Sequence, residues 1–315
     1  MSDFTKIPLH VPEAFHGFHP HDSSPADLER AGYPPHPDSK LAPLEHVLWE
    51  SIAKRNPKYI PVVATEIEPN VGLYEAKNWS GGVLPIRPQV YDPSGTRVLT
   101  KQDPFNRVVG SWVVPNPHPQ KTAEGRIKDG DYEVYTWVGL DGWEDTDALK
   151  VGIVSGLKAR DGRIIDRYTY AAILFRGRSN NTIRVIKLVN FVVEPGDLVT
   201  GYVYGHPGSN IGNAWIVNQG RNEWAAGQIT AAHGVTLQGK SAEWITAGQG
   251  PLEPQRHPFP NYGATVFFEG FAGQQSGQIQ GIERALLSNA VDLDSSAERG
   301  HNILTRTSLS IPVSI

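Results

Sequence analysis

Cysteine is absent from the sequence, which excludes disulfides, a thiol nucleophile and thiolate metal sites. No apolar run approaches the length of a membrane-crossing helix, so no membrane partner is expected. A strong charge of one sign is missing too. The formal net charge of −4 gives no electrostatic argument for a nucleic-acid partner or an anionic surface. There is no phosphate-binding glycine loop and no dinucleotide fingerprint, so no cofactor is expected. No spacing argues for a Ser–His–Asp arrangement. The opening residues, Met1-Ser-Asp-Phe-Thr-Lys-Ile-Pro8, lack the charged and apolar regions of a secretory signal, which predicts a cytoplasmic protein. Without such a signal the glycosylation pattern Asn78-Trp-Ser80 means little.

What the chain has in quantity is turn formers. Its 315 residues include 32 Gly and 25 Pro, with only 39% hydrophobic residues, a composition suited to many short strands. Residues 1–38 hold His10, His16, His19, His21 and His36 among many prolines. The spacing His16-x-x-His19-x-His21 is compatible with a metal, but no carboxylate is placed as a clear further ligand. The segment reads as a polar arm along the surface, with no metal expected. Residues 39–56 read as one helix, capped by Ser39, with Leu41, Leu44, Leu48 and Ile52 at helical spacing. Pro57 ends it.

Beyond Tyr59 the pattern changes to β runs bounded by turn signals: 82–86, 107–114, 133–140, 149–154, 167–175, 182–193, 198–204, 214–218, 228–230, 242–246, 264–271, 282–289 and 308–313. Strands recurring this closely, with almost no helix between them, predict an all-β antiparallel sandwich. In the run 148–154, Leu149, Val151 and Ile153 alternate with Ala148, Lys150 and Gly152, which puts Lys150 on the face opposite the core. The acidic loop Glu144-Asp-Thr-Asp147 offers oxygens for a hard cation, yet lacks the glycine-pivoted spacing of a calcium loop and reads as solvated.

Several islands share a specific order: Asn78-Trp-Ser-Gly-Gly82, Gly110-Ser-Trp-Val-Val-Pro115, Trp137-Val-Gly-Leu-Asp-Gly142, Phe191-Val-Val-Glu-Pro-Gly-Asp-Leu-Val199, Ala214-Trp-Ile-Val-Asn218, Ser241-Ala-Glu-Trp-Ile245 and Ala264-Thr-Val-Phe-Phe268. In this order they resemble the glutamic peptidases, or eqolisins, over roughly residues 76–315. Leu28-Glu-Arg-Ala-Gly-Tyr-Pro-Pro35 is similar to a leader segment in bacterial relatives. The resemblance implies a lectin-like (concanavalin-like) sandwich of two antiparallel sheets with a cleft on one concave face, and an N-terminal extension, 1–75, containing one helix and packing on the 76–315 domain.

The family's peptidases use a Gln and a Glu in that cleft, the Glu as general base on a water and the Gln as partner to the water and oxyanion. The strand that carries the Gln reads Leu149-Lys-Val-Gly152 here, so Lys150 stands in its place. The motif Ala-Glu-Trp-Ile-x-Glu reads Ala242-Glu-Trp-Ile-Thr-Ala247, so Ala247 stands where the Glu belongs. Glu243, the motif's first Glu, is placed about 13 Å along the strand from position 247. A third polar strand of the family aligns with Thr169-Tyr-Ala-Ala-Ile-Leu-Phe175, bringing Tyr170, Ala172 and Leu174 to the cleft.

The expectation is therefore a diverged, non-peptidase cleft that takes a small, largely apolar ligand. Lys150 then serves as base, Schiff-base amine, oxyanion stabiliser or carboxylate anchor. Chemistry of a cyclase, isomerase or lyase type fits such a pocket. Glu243 and Asp141 are its companion catalytic candidates, Asp141 either as an ion-pair partner of Lys150 or as a turn and loop brace. Trp79, Trp137, Tyr170, Ala172, Leu174 and Ala247 are the substrate-binding candidates. Two alternatives remain: an acid endopeptidase using another carboxylate such as Glu243, or a carbohydrate-binding module stacking sugars on Trp79, Trp137 and Tyr170. The oligomeric state is left open.

Overall fold

Alternation in the 148–160 strand sets the architecture. Leu149, Val151 and Ile153 are buried in the main core, while Lys150, Gly152 and Val154 take the other side of the same strand. The computed structural model describes residues 9–12, 17–67, 79–86, 90–91, 97–98, 103–143, 147–177, 182–231, 234–248, 262, 264–282, 286–288, 303–304 and 308–312.

Two sheets form the sandwich. The first, which carries the site, runs in the order Leu286–Ser288, Trp79–Pro85, Ser241–Gly248, Gly130–Asp141, Ala148–Arg160, Arg163–Gly177, Thr182–Leu188 and Ala64–Ile67. The second runs Leu9–His10, Glu223–Thr230, Ile211–Asn218, Leu198–Gly205, Phe105–Val113, Ala264–Gln274, Ser308–Pro312 and Ile303–Leu304. Neighbours along both paths are antiparallel, whereas Lys58–Tyr59 joins the 223–230 strand in parallel. Between the sheets lie Trp112, Val138, Leu140, Val151, Ile216, Trp244 and Phe267. The indole of Trp244 donates to the Val109 carbonyl across the gap at 2.9 Å, which satisfies its one polar atom where water is absent.

The N-terminal segment makes a third layer on the outer face of the second sheet. It also contributes strands of its own: Leu9–His10 and Lys58–Tyr59 flank the 223–230 strand, and Ala64–Ile67 edges the first sheet. The expected helix is shorter than 39–56. It is α2, Pro43–Ala53, with Pro at its first turn and no side-chain cap at Ala42. The buried stripe is also shifted: Leu48 and Ile52 point inward as expected, while Leu41 and Leu44 are exposed. Glu45, Trp49 and Ala53 complete the buried face.

A second helix was not expected. It is α1, Pro25–Arg30, capped by Ser24, which accepts from the Asp27 N–H at 3.2 Å. Ser24-Pro-Ala-Asp27 is a start signal that was readable in the sequence.

Glu45 explains the shift of the stripe. Its buried carboxylate accepts from Arg107 Nε at 2.9 Å and Nη2 at 3.1 Å, and from the hydroxyl of Tyr202. A polar residue is thereby turned toward the sheet and satisfied there. Glu45→Gln should cost about 2 kcal/mol, because a charge-assisted fork becomes a neutral contact with one oxygen lost. Urea unfolding of the variant beside the parent checks this.

Candidate functional site

The central strand Gly130–Asp141 turns Glu133, Tyr135, Trp137 and Gly139 to the face away from the core, and its neighbours align with these in rows. The first row reads Val185, Leu174, Lys150, Gly139, Glu243, Val83. The next reads Lys187, Ala172, Gly152, Trp137, Ile245, Gly81, and the third Tyr170, Val154, Tyr135, Ala247, Trp79. The strand 163–177 therefore adopts the register in which Tyr170, Ala172 and Leu174 share this face.

Lys150 and Glu243 sit on either side of the central strand, both opposite Gly139. The Lys150 ammonium donates to Glu243 Oε2 in a buried ion pair. Gly139 makes the crossing possible: a Cβ there would lie 2.6 Å from Lys150 Cγ, inside any tolerable contact. Lys150 Nζ also lies 5.6 Å from the centre of the Trp137 ring, within range of cation–π attraction. Burial pushes the Glu243 carboxyl above the usual carboxylate range; Lys150 pulls it back, and nearby Asp141 adds to the rise. In so dry a place the pair is strongly coupled, since neither charge has water to screen it.

Below this row the face is apolar and aromatic. Tyr135, Trp137, Val154, Ala172, Leu174, Val185, Ile245 and Ala247 form one buried cluster, with Tyr168 and Tyr170 packed against it. The Trp137 Nε1–H is buried and donates to no acceptor among the described residues. Lys187 Nζ lies over Tyr170, 4.6 Å from the ring centre. Trp79 opens its strand opposite Ala247. At the far end, Glu133 accepts from the hydroxyls of both Tyr135 and Tyr168. It stands about 20 Å along the central strand from Gly139. Sequence reading missed this second acidic node, although the alternation Glu133, Tyr135, Trp137 places all three on one face.

Of the two roles weighed for Asp141, the structure shows the loop brace, and the residue does not pair with Lys150. Its carboxylate accepts backbone N–H bonds from Gln238 (2.7 Å), Gly239 (2.9 Å), Lys240 (2.6 Å) and Ser241 (3.4 Å). It sits at φ 60, a left-handed turn position that Asp tolerates. Burial raises its pKa and the four N–H groups counter the rise. Asp141 is thus the brace of the 237–241 loop.

The acidic loop is likewise not simply solvated. Asp147 is buried and accepts the Thr236 N–H at 2.9 Å. Positions 144–146 lie outside the described residues. Glu243, by contrast, takes on more than the sequence suggested: it is level with Lys150, whereas Ala247 is level with Tyr135. His16 is also outside the described residues. Among those described, the histidines and carboxylates close enough to share an ion are in the N-terminal segment, away from this face. None of the described helices is long and apolar enough to cross a membrane.

Comparison with known proteins agrees with this architecture. The chain is similar in structure to scytalido-glutamic peptidase with a transition state analog inhibitor, at 14% identity and a TM-score of 0.52, covering 76% of this chain and 98% of that one. It is similar also to SCP-B, an eqolisin in complex with the tripeptide Ala-Ile-His, at 15% identity and a TM-score of 0.51, with the same coverage. At these identities the likeness establishes the fold. No curated protein sequence matches the chain. The model of the Peptidase A4 family matches residues 93–312, more than half of the sequence, and the chain belongs to that family.

Proposed function

We propose that this Peptidase A4 family member no longer cleaves peptides by the Gln/Glu route. In this reading its concave face takes a small, largely apolar molecule bearing a carbonyl or carboxylate and acts on it without hydrolysis. The observation that carries the proposal is the buried Lys150–Glu243 ion pair, beside an apolar wall that includes Ala247. The Gln/Glu route needs a water held between a neutral amide and a carboxylate. In this reading the Gln position is taken by Lys150, whose ammonium is bound directly to the carboxylate of Glu243, which leaves no neutral amide to hold such a water.

The pair suits proton abstraction next to a carbonyl. Glu243, with its pKa raised by burial, accepts the proton. The C–H electron pair moves into an enolate, and the oxygen takes its charge against Lys150 Nζ. Return of the same proton at another carbon completes an isomerisation with atoms and charge balanced. Trp137, Tyr170, Ala172, Leu174 and Ala247 supply the apolar enclosure, and the indole N–H of Trp137, without an acceptor among the described residues, supplies one directing donor.

Two measurements test this. Incubated with a denatured protein substrate from strongly acidic to neutral pH, the protein should leave it intact. Cleavage that disappears in Glu243→Gln would restore the peptidase reading. In a thermal-shift screen of apolar carbonyl and carboxylate compounds, hits should be lost in Lys150→Gln. Binding and turnover that are unchanged in that variant would remove Lys150 from the site.

A further inference from the structure

We propose that His36, His46 and Glu50, with His21 closing the fourth position, form a site for a divalent transition-metal ion of the zinc class. One ligand atom from each of the first three lies within 4.8 Å of the others. His46 and Glu50 are one turn apart on the same face of α2. His36 comes from the loop before that helix, and His21 from the 3-10 turn Pro20–Asp22.

The hydrogen bonds argue for an ion rather than a chance cluster. His46 Nδ1 faces the Pro37 carbonyl at 3.2 Å. A carbonyl only accepts, so Nδ1 carries a proton and Nε2 is the nitrogen left to face an ion. His21 repeats the device, its Nδ1 lying 2.9 Å from the Asp22 carboxylate. A ring N–H donated to a carbonyl or carboxylate is the usual support behind a metal-bound histidine. His21 Nε2 then faces Glu50 Oε2 at 3.3 Å, an acceptor against an acceptor unless a second proton or a metal ion lies between them. His36 Nε2 is 2.9 Å from Glu50 Oε1.

Tetrahedral zinc with bonds near 2.0–2.1 Å sets its ligand atoms about 3.4 Å apart. The contacts to Glu50 are already at that scale, and the other separations among His36, His46 and Glu50, at most 4.8 Å, close by about 1.5 Å or less. Lys54, now 2.8 Å from Glu50 Oε2, has a mostly exposed side chain and can withdraw into solvent. His36 packs on the Trp49 ring at 4.4 Å, which fixes its position before any ion arrives. Such an ion would fasten the turn and the loop to the helix whose Glu45 grips Arg107 and Tyr202.

The test is isothermal titration of Zn²⁺ into the full chain after removal of metal by a chelator, with the melting temperature recorded alongside. The expected result is one equivalent bound and a raised melting temperature. Affinity should fall at least about 10-fold in His46→Ala and in His36→Gln, with circular dichroism unchanged. Cobalt in place of zinc should give a visible absorption band that those variants lose. Absence of a binding heat, or an affinity unchanged in the His36→Gln/His46→Ala double variant, would overturn the proposal. The readout is independent of any reaction on the concave face.

Discussion

Lys150→Met should destabilise the protein by about 3–5 kcal/mol at neutral pH, one of the two largest losses expected here. The reason is the carboxylate left behind rather than the contact removed. Glu243 is 2% exposed and would have to be ionised in a dry interior without its cation, or take up a proton. Methionine fills much the same space, so little of the loss comes from a cavity.

The sign of the pH dependence follows. A carboxyl whose folded pKa lies above its unfolded value contributes stability that is present below the unfolded pKa and lost as pH rises through the folded one. In the variant that folded pKa rises further. The deficit should therefore be largest near neutrality and shrink as pH falls toward the ordinary glutamate range. Adding Glu243→Gln should recover most of it, because the second orphan is then neutral. Urea titrations of the parent, both single variants and the double, at two pH values, give the cycle. A deficit that is independent of pH, or undiminished in the double variant, would mean that the pair is not the dominant coupling.

Asp141→Ala should cost a comparable amount, about 3–5 kcal/mol, for a different reason. Three N–H groups at 2.6–2.9 Å and a fourth at 3.4 Å lose their acceptor together. Each buried donor left unpaired costs about 1–3 kcal/mol, partly relieved where the loop can move out to water. That relief makes the prediction local as well as global. Amide hydrogen exchange at Gln238, Gly239 and Lys240 should accelerate far more than exchange at Trp244 or Val138 in the core. Uniform acceleration across the sheet would assign Asp141 a wider role than loop bracing.

These two residues also mark how far the sequence could be read. Alternation at 149, 151 and 153 placed Lys150 on the open face, since strand geometry allows no other side. The order of the islands brought out the family and the two-sheet sandwich before any coordinate. Partner choice was another matter. Lys150 meets Glu243 across an intervening strand, a contact set by two registers at once and by the missing side chain at Gly139. Nothing in either local motif encodes that. Asp141 was equally ambiguous: Asp-Gly marks a turn, but what the carboxylate accepts is set by a loop about a hundred residues away. The helix was misjudged at its stripe for a related reason. Glu45 looks like a surface residue until Arg107 and Tyr202, far along the chain, are there to receive it, and Leu41 and Leu44 are then left facing out.

The third layer has a consequence for how the molecule is made. Tyr33 is packed by Trp215 and Trp224, and Leu48, Trp49 and Ile52 belong to the same cluster. Those helices are synthesised well before most of their docking surface, which includes Tyr202, Trp215, Val217, Trp224 and Ala226. Until then those side chains have only one another, Tyr33 against Trp49 for example, and the surface they turn to the sheet stays uncovered. Non-local pairing of this kind folds slowly and leaves sticky surface uncovered in the meantime. The docking of the N-terminal layer therefore has to wait for the second sheet, and its apolar face is exposed to other chains in the meantime.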